Sequence, residues 1–214
     1  MPRPDTGTRQ KLLETAKGLL WASGYGAVSV DDICREAGVK KGSFYHYFPS
    51  KIDLALTVIE AHFKEVVEPD LKKIFAANVP FEQQIDALAD LILTKKRQEL
   101  AEHGHVCGCP MASLGSETLG QDDLGSISVK VEEKFRNCQD MISRAIQNAM
   151  NDGSIPQDDA EQKAREIYDF ITGLKMMARV HNSLDGIERD LKPGMRRILG
   201  LPEHNKKTAT TNSI

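Results

Sequence analysis

The sequence lacks the features of membrane and secreted proteins. It has no run of about 18 or more apolar residues and no apolar stretch behind its first residues, so we predict neither a membrane span nor a signal peptide. We therefore expect a cytoplasmic protein with no membrane partner. The chain has only four cysteines, which are predicted to be free thiols in that compartment.

Patterns of β-sheets and of enzymes are also missing. Strand-like alternation is nearly absent and helical spacing dominates, which predicts an all-α fold. No serine–histidine–aspartate arrangement, phosphate-binding loop or carboxylate pair stands in a supporting context, so we predict neither an enzyme nor a cofactor. The alternative of a thiol-dependent enzyme rests on Cys109 near His105, a pair that nothing in the sequence orients.

Charge is unevenly distributed along the chain. Residues 1–51 contain eight lysines and arginines against five acidic residues, a net charge of +3, so the remainder carries −6 of the total of −3. A mildly basic N-terminal part on an acidic body suits a head that meets phosphate groups.

Helical spacing divides the chain into helices of different length. A first helix, with Thr8 as a possible N-cap, is predicted to end at Gly24. A helix capped by Ser50, with Asp53 three residues on, is predicted to run until Pro69. Further apolar stripes predict later helices around Phe81–Ile92, Val131–Ala149, Ala164–His181 and Ile187–Leu199.

Two short helices between these form a helix-turn-helix pattern. Ser29 and Asp32 predict a capping box at the start of one helix. Gly38 permits a sharp corner before a second helix over about 40–47, with Val39 buried at the turn. This second helix carries small, hydroxyl, aromatic and basic side chains, a face that approaches a DNA groove and donates hydrogen bonds to phosphates and base edges.

The stretch from Val30 to Lys51 resembles the DNA-binding signature of TetR-type repressors in order, spacing and residue class. Cys34 departs from the usual alanine and is expected to be a small buried filler. Lys40 stands where serine or threonine is usual, and is expected to add a phosphate contact or alter the operator preference. The resemblance implies DNA contacts for Ser29, Lys41, Gly42, Ser43, Tyr45, His46, Tyr47 and Lys51, and core positions for Phe44 and Phe48.

The resemblance also implies the organisation of the whole chain. A three-helix DNA-binding domain over 1–51, extending into a linking helix to about 67, precedes a larger ligand-binding and dimerisation domain over 68–200. The polar tail over 201–214 is expected to be disordered. Such proteins bind palindromic double-stranded operators as homodimers through their last two long helices. The stripe that either forms this seam or faces its own core contains Ile167, Ile171, Leu174 and Ala178.

An unusual segment of the C-terminal part predicts a sensor. Pro110 suits the first position of a helix, so Cys109 would be its N-cap, where the helix dipole favours the thiolate. Such a thiol reacts with oxidants and electrophiles. Gly-Cys-Pro here also resembles a TetR subgroup that includes quinone- and electrophile-responsive repressors, some of which pair this cysteine with a lysine on a later helix. Cys107 and Lys175 complete this candidate sensor.

Other interpretations of the C-terminal part remain open. A non-covalent apolar inducer would need a pocket, for which the candidate lining is Met111, Phe135, Met141, Ile142, Tyr168, Met176 and Met177. A metal site would have to use His103, His105, Cys107 and Cys109. We predict no metal, because the two cysteines are one residue apart and no distant second pair of ligands is evident. An activator or a non-DNA adaptor is the remaining functional alternative.

Overall fold

The computed structural model describes residues 7–120 and 124–202, and every regular element among them is helical. No helix in these ranges is both long and apolar enough to cross a bilayer. The helices are α1 (Thr8–Ser23), α2 (Val30–Ala37), α3 (Lys41–Tyr47), α4 (Lys51–His62), α5 (Glu68–Ile74), α6 (Phe81–His103), α7 (Pro110–Thr118), α8 (Gly125–Asn151), α9 (Ala160–His181) and α10 (Asp185–Ile198).

Local sequence signals set the ends of the helices in the N-terminal head. The predicted capping box is confirmed, since the Ser29 hydroxyl accepts from the Asp32 N–H and the Asp32 carboxylate accepts from the Ser29 N–H. Gly38 ends α2 with a φ of 62°, a left-handed conformation that suits glycine. The predicted cap at Thr8 is wrong, because Thr8 already lies inside α1.

The linking helix does not end at Pro69 as predicted. A π-helical turn, Phe63–Val67, joins α4 to α5, and the Glu68 N–H donates to the Phe63 carbonyl across it. Pro69 has no N–H to donate, but at the second position of α5 the ladder is already displaced by the π-turn. The helical path therefore continues to Ile74.

The apolar side chains form two clusters. The first lies in the head, where Leu12, Ile33, Phe44 and Leu54 are fully buried among α1 to α4. This cluster is completed from the C-terminal part, on α7 and α8, by Met111, Leu114, Ile127 and Val131. The second cluster joins α5, α6, α8, α9 and α10. The predicted division near 51–68 thus does not separate two independent cores.

Arg196 anchors the C-terminal end of the described chain to α6 through ion pairs and a hydrogen bond. Its guanidinium is 2% exposed, pairs with the carboxylates of Glu82 and Asp86 on α6, and donates through Nε to the Pro202 carbonyl at 2.8 Å. Leu201 is buried beside it. Leu201 and Pro202 therefore belong to the folded part, which corrects the tail boundary at 201. Residues 203–214 lie outside the described residues.

Candidate DNA-reading face and central cavity

Helix α3 turns its aromatic residues to opposite environments. Phe44 and Phe48 are buried at 0% and 3% exposure, which confirms them as core residues. Tyr45, next to Phe44, is 50% exposed, because neighbouring residues on a helix point in different directions. The outward face carries the predicted contact residues, with Lys40, Lys41, Gly42, Tyr45 and His46 exposed and Ser43 and Tyr47 half-buried.

Lys41 is held at the edge of this face by an exposed ion pair. Its Nζ lies 2.9 Å from Asp31 Oδ1 on α2, and this carboxylate raises the pKa of Lys41. Exposed pairs contribute little to stability, so exchanging Asp31 for a phosphate costs the fold little. Lys40 precedes α3 as its N-cap and is also exposed, so two ammonium groups flank the start of the helix.

The ammonium group of Lys51 is bound by groups of the protein itself. Its Nζ donates to the carbonyls of Tyr25 and Val28 at 2.8 and 2.7 Å and lies 3.7 Å from the centre of the Tyr25 ring. Burial lowers the pKa of this ammonium. The contacts fix the loop between α1 and α2 against α4, whereas the family resemblance implied a phosphate contact for this side chain.

The same loop is bound by α7 of the C-terminal part. The Glu117 carboxylate accepts from the backbone N–H groups of Tyr25 and Gly26 at 2.7 and 3.3 Å. Gly24 has a φ of 86°, and a Cβ atom there would overlap this carboxylate. Helix α7 therefore contacts the head through the loop between α1 and α2, where the absence of a side chain at Gly24 leaves room for the Glu117 carboxylate.

A cavity of about 590 Å³ is lined by residues of α1 and of α4 to α9. The structure brings together at its wall two of the three candidate sensor residues, Cys109 and Lys175, and the pocket candidates Met111, Phe135 and Tyr168. Cys107 is not among the lining residues: it is 2% exposed, and burial raises the pKa of its thiol. Of the further pocket candidates, Ile142 lines the cavity, Met141 and Met176 do not, and Met177 is 50% exposed.

Cys109 is placed beside α9 by a close approach of the loop before α7. Cys109 is the N-cap of α7 and Pro110 its first residue, as predicted. Gly108 has a φ of 74° and packs closely against α9. A Cβ atom at this position would lie 3.1 Å from the Arg179 side chain and 3.4 Å from the Lys175 carbonyl. The buried Lys96 ammonium donates to the Gly108 carbonyl from the other side.

Burial dominates the electrostatics of the cavity wall. It lowers the pKa of Lys175, an effect that the nearby Cys109 thiol opposes. It lowers the pKa of His62 to about 4, helped by the surrounding lysine ammonium groups. Burial also raises the pKa of the Cys138 thiol to about 11 and raises that of the Tyr168 hydroxyl, which is hydrogen-bonded to Cys138.

Several residues that line the cavity were not predicted from the sequence. Lys96 continues the apolar stripe of α6 one turn beyond Ile92, and His62 follows Val58 by one turn on α4. The signal that identifies Lys96 and His62 is a polar residue at a position where the helical spacing predicts a core residue. Trp21 on α1 also lines the cavity, and its ring lies edge-on to His62 with centroids 5.3 Å apart.

The alternative metal site does not assemble. Within 7–120 and 124–202, no three histidine, cysteine or acidic side chains are grouped so as to hold a metal ion. Cys107 is buried, whereas His103 and His105 are exposed on the surface with ring centroids 6.2 Å apart. All four cysteines are free thiols, as predicted.

The two faces of α9 have different surroundings. The predicted stripe packs inside the second apolar cluster, with Ile167, Ile171 and Ala178 buried at 5% exposure or less, so it is not an outward seam. Another apolar stripe on α9 faces outward, where Met177 and Val180 are 50% and 73% exposed. With Phe170 and Gly173 it follows the spacing of one helix face.

Comparison with known proteins identifies both parts of the chain. Residues 12–58 match the family model described as bacterial regulatory proteins, tetR family. Residues 84–192 match the model described as the tetracyclin repressor-like C-terminal domain. The first match covers the head with its exposed helix, and the second covers most of the cavity wall.

Individual relatives agree with this assignment. The chain is 24% identical to the HTH-type transcriptional repressor NemR of Escherichia coli over 91% of its length and 95% of that protein. It is 34% identical to the transcriptional regulator AcuR of Cereibacter sphaeroides over 67% of its length and 65% of that protein. The crystal structure of reduced E. coli NemR shares the fold, with a TM-score of 0.76, 23% identity and coverage of 92% and 100%.

Proposed function

Because the chain belongs to the TetR family of DNA-binding transcriptional regulators, we propose that it acts as a homodimeric repressor whose release from a palindromic operator is triggered in the central cavity. The family consists of regulators rather than enzymes. NemR, its relative over nearly the whole chain, carries the name of a repressor. A DNA-bound regulator works in the cytoplasm, where the operator lies.

The observation that carries the proposal is the outward face of α3. The side chains of Tyr45 and His46 are exposed, whereas that of Phe44 is buried. Gly42 has no side chain that would keep the backbone away from a groove. Lys41 and Lys40 add positive charge where phosphates would lie. We assign base reading to Lys41, Gly42, Ser43 and Tyr45, and phosphate contacts to Lys40, His46 and Tyr47. Ser29 and Lys51 then act indirectly: Ser29 caps α2, and Lys51 holds the loop between α1 and α2 in place.

We assign dimerisation to the outward stripe of α9. A palindromic operator requires two copies of α3 about 34 Å apart, one turn of duplex, and a two-fold dimer provides this. Met177 and Val180 are the large apolar side chains that α9 leaves exposed, and exposed apolar patches mark protein interfaces. Helix α10 packs beside them, so closely that a Cβ atom at Gly194 would overlap the Phe170 ring.

The signal is proposed to act by a shift between two arrangements of the head. Occupation of the cavity repacks the end of α4 and the π-turn after it, where His62 and Val66 line the cavity, and α7, which follows Cys109 and contacts the head through Glu117. Both movements alter the spacing of the two α3 helices, so they no longer fit successive major grooves. A ligand achieves this only if it binds the released arrangement more tightly.

A second form of the signal is favoured by the Cys109 geometry. Cys109 occupies the N-cap position of α7, lines the cavity and lies near Lys175, so a small electrophile or oxidant entering the cavity reaches its thiol. The Gly-Cys-Pro motif resembles that of electrophile-responsive regulators. We propose Cys109 as the thiol that such a reagent modifies, with Lys175 as its neighbour.

Mobility-shift titration with the DNA upstream of the protein's own gene tests the reading face. Lys41→Ala and Tyr45→Ala should each weaken specific binding at least tenfold, in line with about 1–3 kcal/mol for a base contact, while the dimer persists. Lys163→Ala, on α9, is the matched control and should bind as the wild type. Unchanged operator affinity in both α3 variants would refute the assigned reading face, and binding to no duplex at all would refute the repressor.

A further inference from the structure

The wall of the central cavity is apolar over most of its surface. Its volume of about 590 Å³ lies within the range of small-molecule sites. The apolar lining comes from six helices and includes Leu71, Leu88, Ile92, Phe135, Ile142 and Ile171. Such a wall accommodates the hydrocarbon part of a compact organic molecule.

Four lysines line this cavity, namely Lys17, Lys95, Lys96 and Lys175, and two of them have carboxylate partners. Lys95 pairs with Asp70, and Lys96 pairs with Glu99 in addition to its bond to the loop before α7. Lys175 makes no hydrogen bond or ion pair with any residue in the described part of the chain, although it is enclosed by protein and cavity. Lys175 therefore has no carboxylate partner, and its buried ammonium form is costly until an anion pairs with it.

His62 lies near several of these lysines. The ammonium groups of Lys17, Lys95, Lys175 and Lys96 all act to lower the pKa of this imidazole. The carboxylates of Glu14, Asp70, Glu99 and Glu102 also line the cavity, and those of Asp70 and Glu99 are paired with Lys95 and Lys96. The buried Nδ1 atom of His62 also lacks a hydrogen-bond partner among the described residues. The cavity thus holds two unsatisfied polar groups, on α4 and on α9.

We propose that the cavity binds a small organic carboxylate, with the carboxylate on the Lys175 ammonium and the hydrocarbon part against Phe135 and Ile142. The Thr172 hydroxyl, one turn before Lys175 on α9, also lines the cavity and supplies a second donor for the carboxylate. A neutral ligand leaves Lys175 uncompensated, and an inorganic anion leaves the apolar wall uncovered. The inference rests on the proposed function only in treating this cavity as the sensor site.

The chain provides its own reporter for binding. Trp21 is the single tryptophan of the sequence and lines the cavity, so its fluorescence responds to occupation without any label or DNA. Matched probes of equal shape are hexanoate with hexanamide and cyclohexanecarboxylate with cyclohexanecarboxamide. In titrations of the full chain, each carboxylate should bind at least tenfold more tightly than its amide. Equal affinities, tighter binding of the amides or no binding of any probe would overturn the proposal.

Three variants locate the anion. Lys175→Met should abolish the preference for the carboxylate, and Lys175→Arg should keep it. Lys163→Met, on the same helix but paired with Asp158 outside the cavity, should leave it unchanged. If Lys175→Met does not fold, the wild-type comparison of acid with amide decides alone. An unaltered preference in a folded Lys175→Met would overturn the assignment of the anion to this residue.

A non-covalent carboxylate site is separable from thiol chemistry and from DNA release. Cys109→Ala should retain the carboxylate preference, because the anion is held by Lys175; its loss would overturn the assignment. Carboxylate binding that leaves operator affinity unchanged would support the ligand class and overturn the cavity's role as the sensor. The two conclusions therefore fail independently.

Discussion

Glu117 accepts a hydrogen bond of 2.7 Å from the backbone N–H of Tyr25, which ties the last turn of α7 to the head that carries α3. The first residue before α7, Cys109, lines the cavity. One helix of nine residues therefore connects the cavity wall with the head that carries α3.

Removing this link should loosen the head without touching the reading face. Glu117→Ala should lower the free energy of unfolding by about 1 kcal/mol, since two charge-assisted bonds are lost from an exposed carboxylate. Operator affinity should fall several-fold, because the loop behind α2 loses one of its anchors. Chemical denaturation and mobility shift measure the two effects. Glu132→Ala, an exposed glutamate on α8, is the control, and equal behaviour of both variants would contradict the link.

Stability should depend on pH through His62. Its pKa is lowered to about 4 in the folded protein by burial, against about 6.5 in the unfolded chain, so between these values the unfolded chain binds the extra proton. The free energy of unfolding should therefore decrease as pH falls from about 6.5 to 4. His62→Gln should flatten this part of the profile, measured by urea denaturation at each pH. His181→Gln, at an exposed position, should keep the wild-type slope; an identical slope for His62→Gln would exclude His62 as the cause.

Two exposed valines distinguish the proposed dimer seam from the rest of the surface. Val180→Asp, on the outward stripe of α9, should raise the dimer dissociation constant at least tenfold, because a charge is desolvated at the interface. Val129→Asp is the matched control, since Val129 is 61% exposed but lies on α8. Sedimentation equilibrium measures both. Equal dissociation constants would place the seam elsewhere.

Thiol sensing should depend on one of two neighbouring cysteines. Cys109→Ser should remove any release of operator DNA by quinones or hypochlorite, since Cys109 stands at the N-cap position of α7 in the cavity wall. Cys107→Ser should respond as the wild type, because Cys107 is 2% exposed and burial raises the pKa of its thiol. Mobility shift with and without reagent gives the response. A full response in Cys109→Ser would exclude this thiol as the sensor.

The short-range signals of the sequence predicted the head well. The Ser29–Asp32 capping box, the corner at Gly38 and the burial of Phe44 and Phe48 all depend on residues within a few positions of one another. The end of α4 was predicted less well, because a π-turn changed the hydrogen-bond ladder before Pro69. No capping or spacing signal in the sequence marks this π-turn.

By itself the sequence determined the helical class, the reading helix and the candidate thiol at the start of α7, because periodicity, capping and spacing are local properties of the chain. Only the tertiary structure decided which charged groups share the cavity, since Lys175 and His62 are more than a hundred residues apart and line the same cavity because α9 and α4 both pack against α8. It likewise decided which face of α9 is buried, because two apolar stripes on one helix compete for the core and only the packing of α8 and α10 selects one.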